Sequence, residues 1–175
     1  MSTRSDFKQV KYFCGLIFSH NNAAARALEM LQEFLPAIDR RSAVMPFTVT
    51  DYYQAEIVEP LFRQFISFKD LLTPEKLPEI KLHTIELEER LAVAGKLTVN
   101  LDPGYLSDAN VIIATAKNHY HRVPLRDGIY AHIEYVLKDG RINFLPWTYP
   151  DFQTAPYLDF FRHLQELFKL AKNGR

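Results

Sequence analysis

Ile129-Tyr130-Ala131-His132-Ile133-Glu134-Tyr135-Val136-Leu137-Lys138-Asp139-Gly140-Arg141-Ile142-Asn143-Phe144-Leu145 decides the fold. The runs from Ile129 to Leu137 and from Arg141 to Leu145 form the clearest hairpin in the chain, joined by Lys138-Asp139-Gly140. Asp-Gly is a strong hairpin signal because a tight turn needs residues that tolerate positive φ. A hairpin makes at least this part of the sheet antiparallel.

Upstream, Val10 to Phe18 reads as a central strand, apolar on both faces through Phe13, Cys14, Leu16, Ile17 and Phe18. His20-Asn21-Asn22 supplies capping groups for a helix from Ala23 to Leu35, with Ala24, Ala27, Leu28, Leu31 and Leu35 on one stripe and Pro36 ending it. Val44 to Val49 reads as a short edge strand interrupted by Pro46. Leu61 to Phe68 alternates with period two, a strand pattern. Thr73-Pro74-Glu75 opens a second helix that runs to about Val93 and stops at Gly95, with Leu77, Ile80, Leu87 and Leu91 on its buried stripe.

Leu97 to Leu101 reads as a strand broken by Asp102-Pro103-Gly104 turn chemistry. Val111 to Ala116 and Arg122 to Leu125 add two short strands before the hairpin. Thr154 caps a last helix to about Lys172, whose apolar face carries Tyr157, Phe160, Phe161, Leu164, Phe168 and Ala171. Helices are grouped on one sheet rather than alternating strictly with strands. The expectation is one α+β domain over residues 1–175, a mixed, mostly antiparallel sheet with about three helices packed on it.

A chain of 175 residues suits one domain and buries enough surface to need no staples. Lys plus Arg equals Asp plus Glu, 21 each, which argues against duplex DNA or RNA as the main partner. Cys14 stands alone, so no internal disulfide forms, and in its apolar run it reads as a small buried hydrophobe. Met1 to Gln9 is polar, and no window approaches the ~20 apolar residues that cross a bilayer. A cytoplasmic protein is the expectation, with oligomeric state and cofactors unassigned.

Acids, bases and aromatics crowd into three segments: Asn100 to Tyr105, Lys117 to Arg122, and Trp147 to Asp151. Lys117, His119, His121 and Arg122 place positive or protonatable groups within six residues, a clamp for a phosphate or carboxylate. On a strand, Lys117, His119 and His121 would share one face, and a solvated edge strand is the competing explanation. His119 and His121 are also candidate metal ligands together with Asp102 or Asp51. Asp102, at a strand end, is a candidate acid–base group, against a turn-forming role before Pro103-Gly104. Asp51 and Glu86 are lesser candidates, Glu86 being placed to pair with Arg90. Tyr105, Tyr130, Trp147 and Tyr149 offer rings to stack on a base or sugar, or to pack at the core edge.

The chain contains no G-x-x-x-x-G-K-[ST], no G-x-G-x-x-G after the first strand, no G-x-S-x-G and no Cys-x-x-Cys. Gly15-Leu16-Ile17-Phe18-Ser19, Thr50-Asp51-Tyr52-Tyr53 after Phe47, Phe65-Ile66-Ser67-Phe68, and Lys81 with Thr84, Glu86 and Leu87-Glu88 carry a resemblance. So do Val99 to Tyr105, Lys117, His121-Arg122, Gly128-Ile129-Tyr130-Ala131 and Pro146 to Asp151. Together these resemble the bacterial and archaeal domain-of-unknown-function family numbered 4416. Some similar proteins carry a GTP-binding label, which the resemblance extends to this chain as an implication, although the chain has no P-loop.

Three readings follow from the residues. In the first, the protein binds an anionic small molecule such as a nucleotide or phosphate ester. Lys117, His121 and Arg122 hold the anion, His121 with Asp102 or Asp51 does acid–base work, and Tyr105 or Tyr130 lines the pocket. In the second it is a noncatalytic interaction module or homodimer-forming domain. In the third it is a metal-dependent hydrolase built on His119, His121 and Asp102.

Overall fold

In the computed structural model, which describes residues 3–47 and 60–174, the hairpin turn has φ of 52° at Asp139 and 73° at Gly140. Lys138 and Arg141 pair across it. Gly140→Ala is expected to cost about 1 kcal/mol, because a Cβ disfavours that left-handed backbone. Urea unfolding of the variant reads this directly, and an unchanged midpoint would show that the turn adapts.

The described residues form nine strands and three helices. In chain order they are β1 (Val10–Phe18), α1 (Asn21–Leu31), β2 (Ile38–Arg41), β3 (Met45–Pro46), β4 (Phe62–Leu72) and α2 (Leu77–Leu91). Then come β5 (Val99–Leu106), β6 (Asn110–Thr115), β7 (Val123–Pro124), β8 (Tyr130–Lys138), β9 (Arg141–Phe144) and α3 (Ala155–Asn173). The sheet order is β2-β4-β1-β5-β6-β8-β7, with β3 added on β4 and β9 on β8. Every pairing among these strands is antiparallel. The fold is α+β.

β1 is buried at all nine positions, which explains its unbroken apolar run. Tyr12, Cys14, Leu16 and Phe18 pack under α1 and α2 with Leu28, Leu31, Ile80 and Leu87. Phe13 faces the other way, against Phe65 and the Phe160, Phe161, Leu164 and Phe168 stripe of α3. Each such side chain gains roughly 1.5–3 kcal/mol over exposure, so both faces of the sheet must be covered. The helices therefore divide, two on one face and one on the other. α1 begins where the side-chain Nδ1 of His20 accepts from the Ala23 amide at 3.2 Å.

Two local expectations need correcting, and one strand stands outside them. Asp102-Pro103-Gly104 does not break its strand: β5 runs through it in register with β1. The pairing of β6 with β5 begins only at Gly104, so proline's missing amide proton falls where no second strand is paired. The charged segment Ile38–Arg41 is a strand that sequence pattern does not announce. The buried Lys11 ammonium holds it, donating to Asp39 and, at 2.6 Å, to the Phe68 carbonyl, while Ser67 Oγ donates to Asp39 at 2.6 Å. Residues 117–122 are a loop with turns rather than a strand, leading into the two-residue β7.

Candidate functional site

Three segments far apart in sequence meet beside β8. Opposite β6, Val111 pairs with Tyr135 and Ile112 with Ile133, so Glu134 is an extra residue with no partner, a β-bulge. A bulge re-aims the side chains around it. Glu134 Oε2 lies 2.8 Å from Nε2 of His132, two residues before it on the same strand. Both are closed off from solvent, at 0% and 2% exposure.

The segment after the hairpin clamps the bulge. The Trp147 indole N–H donates to the Ile133 carbonyl at 2.9 Å, Thr148 Oγ1 to the Glu134 carbonyl at 2.7 Å, and the Tyr149 amide to Glu134 Oε1 at 2.8 Å. Both carboxyl oxygens of Glu134 thus have partners, as burial requires.

From this buried end a row of imidazoles leads outward. His132 Nδ1 lies 3.1 Å from His121 Nε2, and His121 Nδ1 lies 2.9 Å from His119 Nδ1. The His121 ring stacks on Trp147 at 4.8 Å and 8°, and His132 stacks on Tyr149 at 5.1 Å and 25°. His119 is exposed and His121 half-buried. Arg122 flanks the row: one terminal nitrogen donates to the Lys117 carbonyl at 2.6 Å and the other to the Tyr149 hydroxyl at 2.7 Å. Its Nε is buried with no hydrogen-bond partner.

Burial raises Glu134 to about 8, the Asp151 charge adding to the rise while the Tyr149 amide opposes it. Burial, then the Arg122 charge, lowers His132 to about 4. Desolvation also lowers His121, followed by His132, His119 and Arg122 as neighbouring positive or protonatable groups. At neutral pH the inner pair therefore shares one proton, held on the carboxyl. One orientation of the row satisfies that state. Glu134 donates to His132 Nε2, His132 Nδ1–H to His121 Nε2, and His121 Nδ1–H to His119.

The residues singled out from sequence divide accordingly. His119, His121 and Arg122 come together, and Lys117 contributes its carbonyl to Arg122. Tyr130 begins β8 two residues before His132, on the same face by strand alternation. Asp102 does not join the imidazoles; it pairs with Arg63, Nη1 to Oδ2, at 3.3 Å. Tyr105 lies elsewhere, edge-on to Tyr12 at 5.8 Å, in a shallow groove of ≈ 320 Å³ with Lys8, Pro74 and Asn110. Asp51 lies outside the described residues. Among the described residues, no three His, Cys, Asp or Glu side chains gather as a metal-ligand group. His121 turns opposite ring nitrogens to its two neighbours, which makes a row rather than a common centre.

The family model described as Domain of unknown function (DUF4416) matches residues 8–168. The chain belongs to that family. No curated protein and no solved structure matches it. The DUF4416 match spans every element from β1 into α3, and so includes all three segments of the imidazole row.

His132 and Glu134 are the functional candidates that sequence reasoning missed. A signal for them exists: two ionisable residues at i and i+2 inside the apolar run from Ile129 to Leu137. A strand that buries such a pair must pair them with each other or with neighbours.

Proposed function

We propose that the protein binds an anionic small molecule of the phosphate-ester class and exchanges a proton with it through His119 and His121. The observation that carries this is the unbroken row from exposed His119 to buried Glu134, flanked by Arg122. A buried carboxyl set behind a stacked imidazole orients that imidazole and tunes its basicity. Arg122 supplies positive charge beside the row, its guanidinium held in place by the Lys117 carbonyl and the Tyr149 hydroxyl. No helix of the described residues is long and apolar enough to cross a membrane.

The proton balance is simple. With Glu134 ionised, His121 carries its proton on Nε2 and its Nδ1 is a base. When the outer nitrogen Nε2 of His119 takes a proton from the ligand, His119 Nδ1–H passes to His121 Nδ1, His121 Nε2–H passes to His132 Nδ1, and His132 Nε2–H passes to Glu134. Reversing the row makes His119 an acid. Because burial raises Glu134 to about 8, both directions are accessible near neutral pH. Asp102, held by Arg63, is not part of this relay.

Thermal-shift measurements with inorganic phosphate, nucleotides and sugar phosphates test the reading. A ligand at a hundred times its Kd stabilises the folded state by about 2.7 kcal/mol. The stabilisation is expected to vanish in Arg122→Ala. It is expected to persist in His121→Asn without the pH dependence that a titrating imidazole confers. A folded sample that responds to none of these anions, or an Arg122→Ala response equal to the parent's, would sink the proposal.

A further inference from the structure

A second polar corner adjoins the imidazole row on the α3 face of the sheet. Ile17 of β1 stands opposite Arg63 on β4 and Asn100 on β5, and Gly15 stands opposite Phe65 and Asp102. Strand alternation therefore sets Arg63, Asn100 and Asp102 on one face, with Phe13 and Phe65. A Cβ at Gly15 would lie 2.8 Å from Arg63 Nη1, so the missing side chain is what lets the guanidinium cross β1 towards Asp102.

A chain of side-chain contacts joins this corner to the row. Arg122 donates to the Tyr149 hydroxyl. Two residues beyond Tyr149, Asp151 lies 3.7 Å from Arg63 Nη2, and Arg63 Nη1 reaches Asp102 at 3.3 Å.

The corner is incompletely satisfied as a structural salt bridge. Arg63 is 4% exposed, yet its Nε has no hydrogen-bond partner, and neither has the buried Nδ2 of Asn100. Both carboxylates open outward, Asp102 at 25% and Asp151 at 34% side-chain exposure. One guanidinium and two carboxylates leave a net negative charge, which repels a second anion. An ammonium group would suit the carboxylates but leave both orphan donors unpaired, since it only donates. A hydroxyl both donates and accepts, and two neighbouring hydroxyls match two carboxylates and two unpaired N–H donors.

We propose that Arg63, Asn100, Asp102 and Asp151 form a subsite for the vicinal hydroxyls of a sugar ring, so that the ligand is a sugar phosphate. Its phosphate half rests on the anion reading of His121 and Arg122; its sugar half rests on the orphan donors alone.

Isothermal titration of the full chain with ribose 5-phosphate, glucose 6-phosphate, the two free sugars and inorganic phosphate tests both halves separately. At least one sugar phosphate is expected to bind about tenfold more tightly than inorganic phosphate, the margin of one or two hydrogen bonds. Asn100→Leu is expected to erase most of that margin while leaving phosphate affinity intact. Because Asn100 Nδ2 has no native partner, the variant keeps the parent's melting temperature. Asp102→Asn is expected to act in the same direction.

Equal affinity for sugar phosphates and inorganic phosphate overturns the subsite and leaves the anion reading standing. So does a margin that survives both substitutions. Free sugar binding without phosphate binding supports the subsite and overturns the anion reading. Failure of all five ligands to bind overturns both.

Discussion

Lys81→Met is expected to destabilise the protein by on the order of 3–5 kcal/mol at pH 8, the range for breaking a buried ion pair from one side. Lys81, Thr84 and Glu88 lie on one buried stripe of α2, beside its apolar stripe. The Lys81 ammonium donates to the Leu101 carbonyl at 2.6 Å, and the Leu101 amide donates to Glu88 Oε1 at 2.6 Å. Lys81 and Glu88 are 3.7 Å apart. The two side chains thus take the place of a neighbouring strand along the part of β5 that β6 does not reach. Removing the lysine leaves a carbonyl unpaired and a carboxylate buried against no adjacent ammonium.

That loss has a pH signature. Burial already raises Glu88 above the ordinary carboxylate range, with Lys81 pulling it down. Without Lys81 the carboxyl rises further. A carboxyl whose folded pKa is raised contributes stability below its unfolded pKa and loses it as pH rises, so the deficit of Lys81→Met grows from pH 5 to pH 8. Adding Glu88→Gln is expected to recover part of it. Guanidinium unfolding at the two pH values checks this; a variant within 1 kcal/mol of the parent at pH 8 would mean that water replaces the lysine.

Glu134 is the second position of large effect. Glu134→Leu leaves the His132 Nε2 and the Tyr149 amide without partners, each an orphan costing about 1–3 kcal/mol, for a total of roughly 2–6 kcal/mol. Glu134→Gln is different. An amide reproduces a protonated carboxyl, its oxygen accepting from Tyr149 and its NH2 donating to His132, so at pH 6 the variant is expected to match the parent.

The sign of the pH dependence separates the two groups. Glu134, raised to about 8, contributes fully below its unfolded value of 4.5 and loses that contribution as pH rises through 8. His132, lowered to about 4, contributes fully above 6.5 and loses its part as pH falls through 4. Relative to the parent, Glu134→Gln should therefore gain stability from pH 5 to pH 9, on the order of 3 kcal/mol. If the variant were instead strongly destabilised at pH 6, the proton would reside on His132, as an ion pair with a charged carboxylate.

Much of the candidate site was visible as composition before it was visible as geometry. Lys117 to Arg122 and Trp147 to Asp151 stand out as dense in ionisable and aromatic residues, and both border the imidazole row. Asn100 to Tyr105 stands out equally but serves another corner, because Asp102 faces Arg63 of β4 across β1. Tyr105 shows the limit most plainly. Strand alternation sends it to the side of Tyr12 and α2, and nothing in residues 100–105 tells which face a ligand would use.

The sequence by itself determined the hairpin, the doubly buried β1, the three helices and their apolar stripes. Each depends on residues close together in the chain: the period of apolar positions, a cap, and a turn that tolerates positive φ. Only the tertiary structure decided that His132 and Glu134 meet the 117–122 loop. That meeting takes a loop folded back onto β8, a bulge set by how β6 pairs, and a clamp from Tyr149, 15 residues beyond Glu134. Burial of a carboxyl among imidazoles shifts proton affinities only once distant segments have closed over it, so the chemistry is a property of the packed chain.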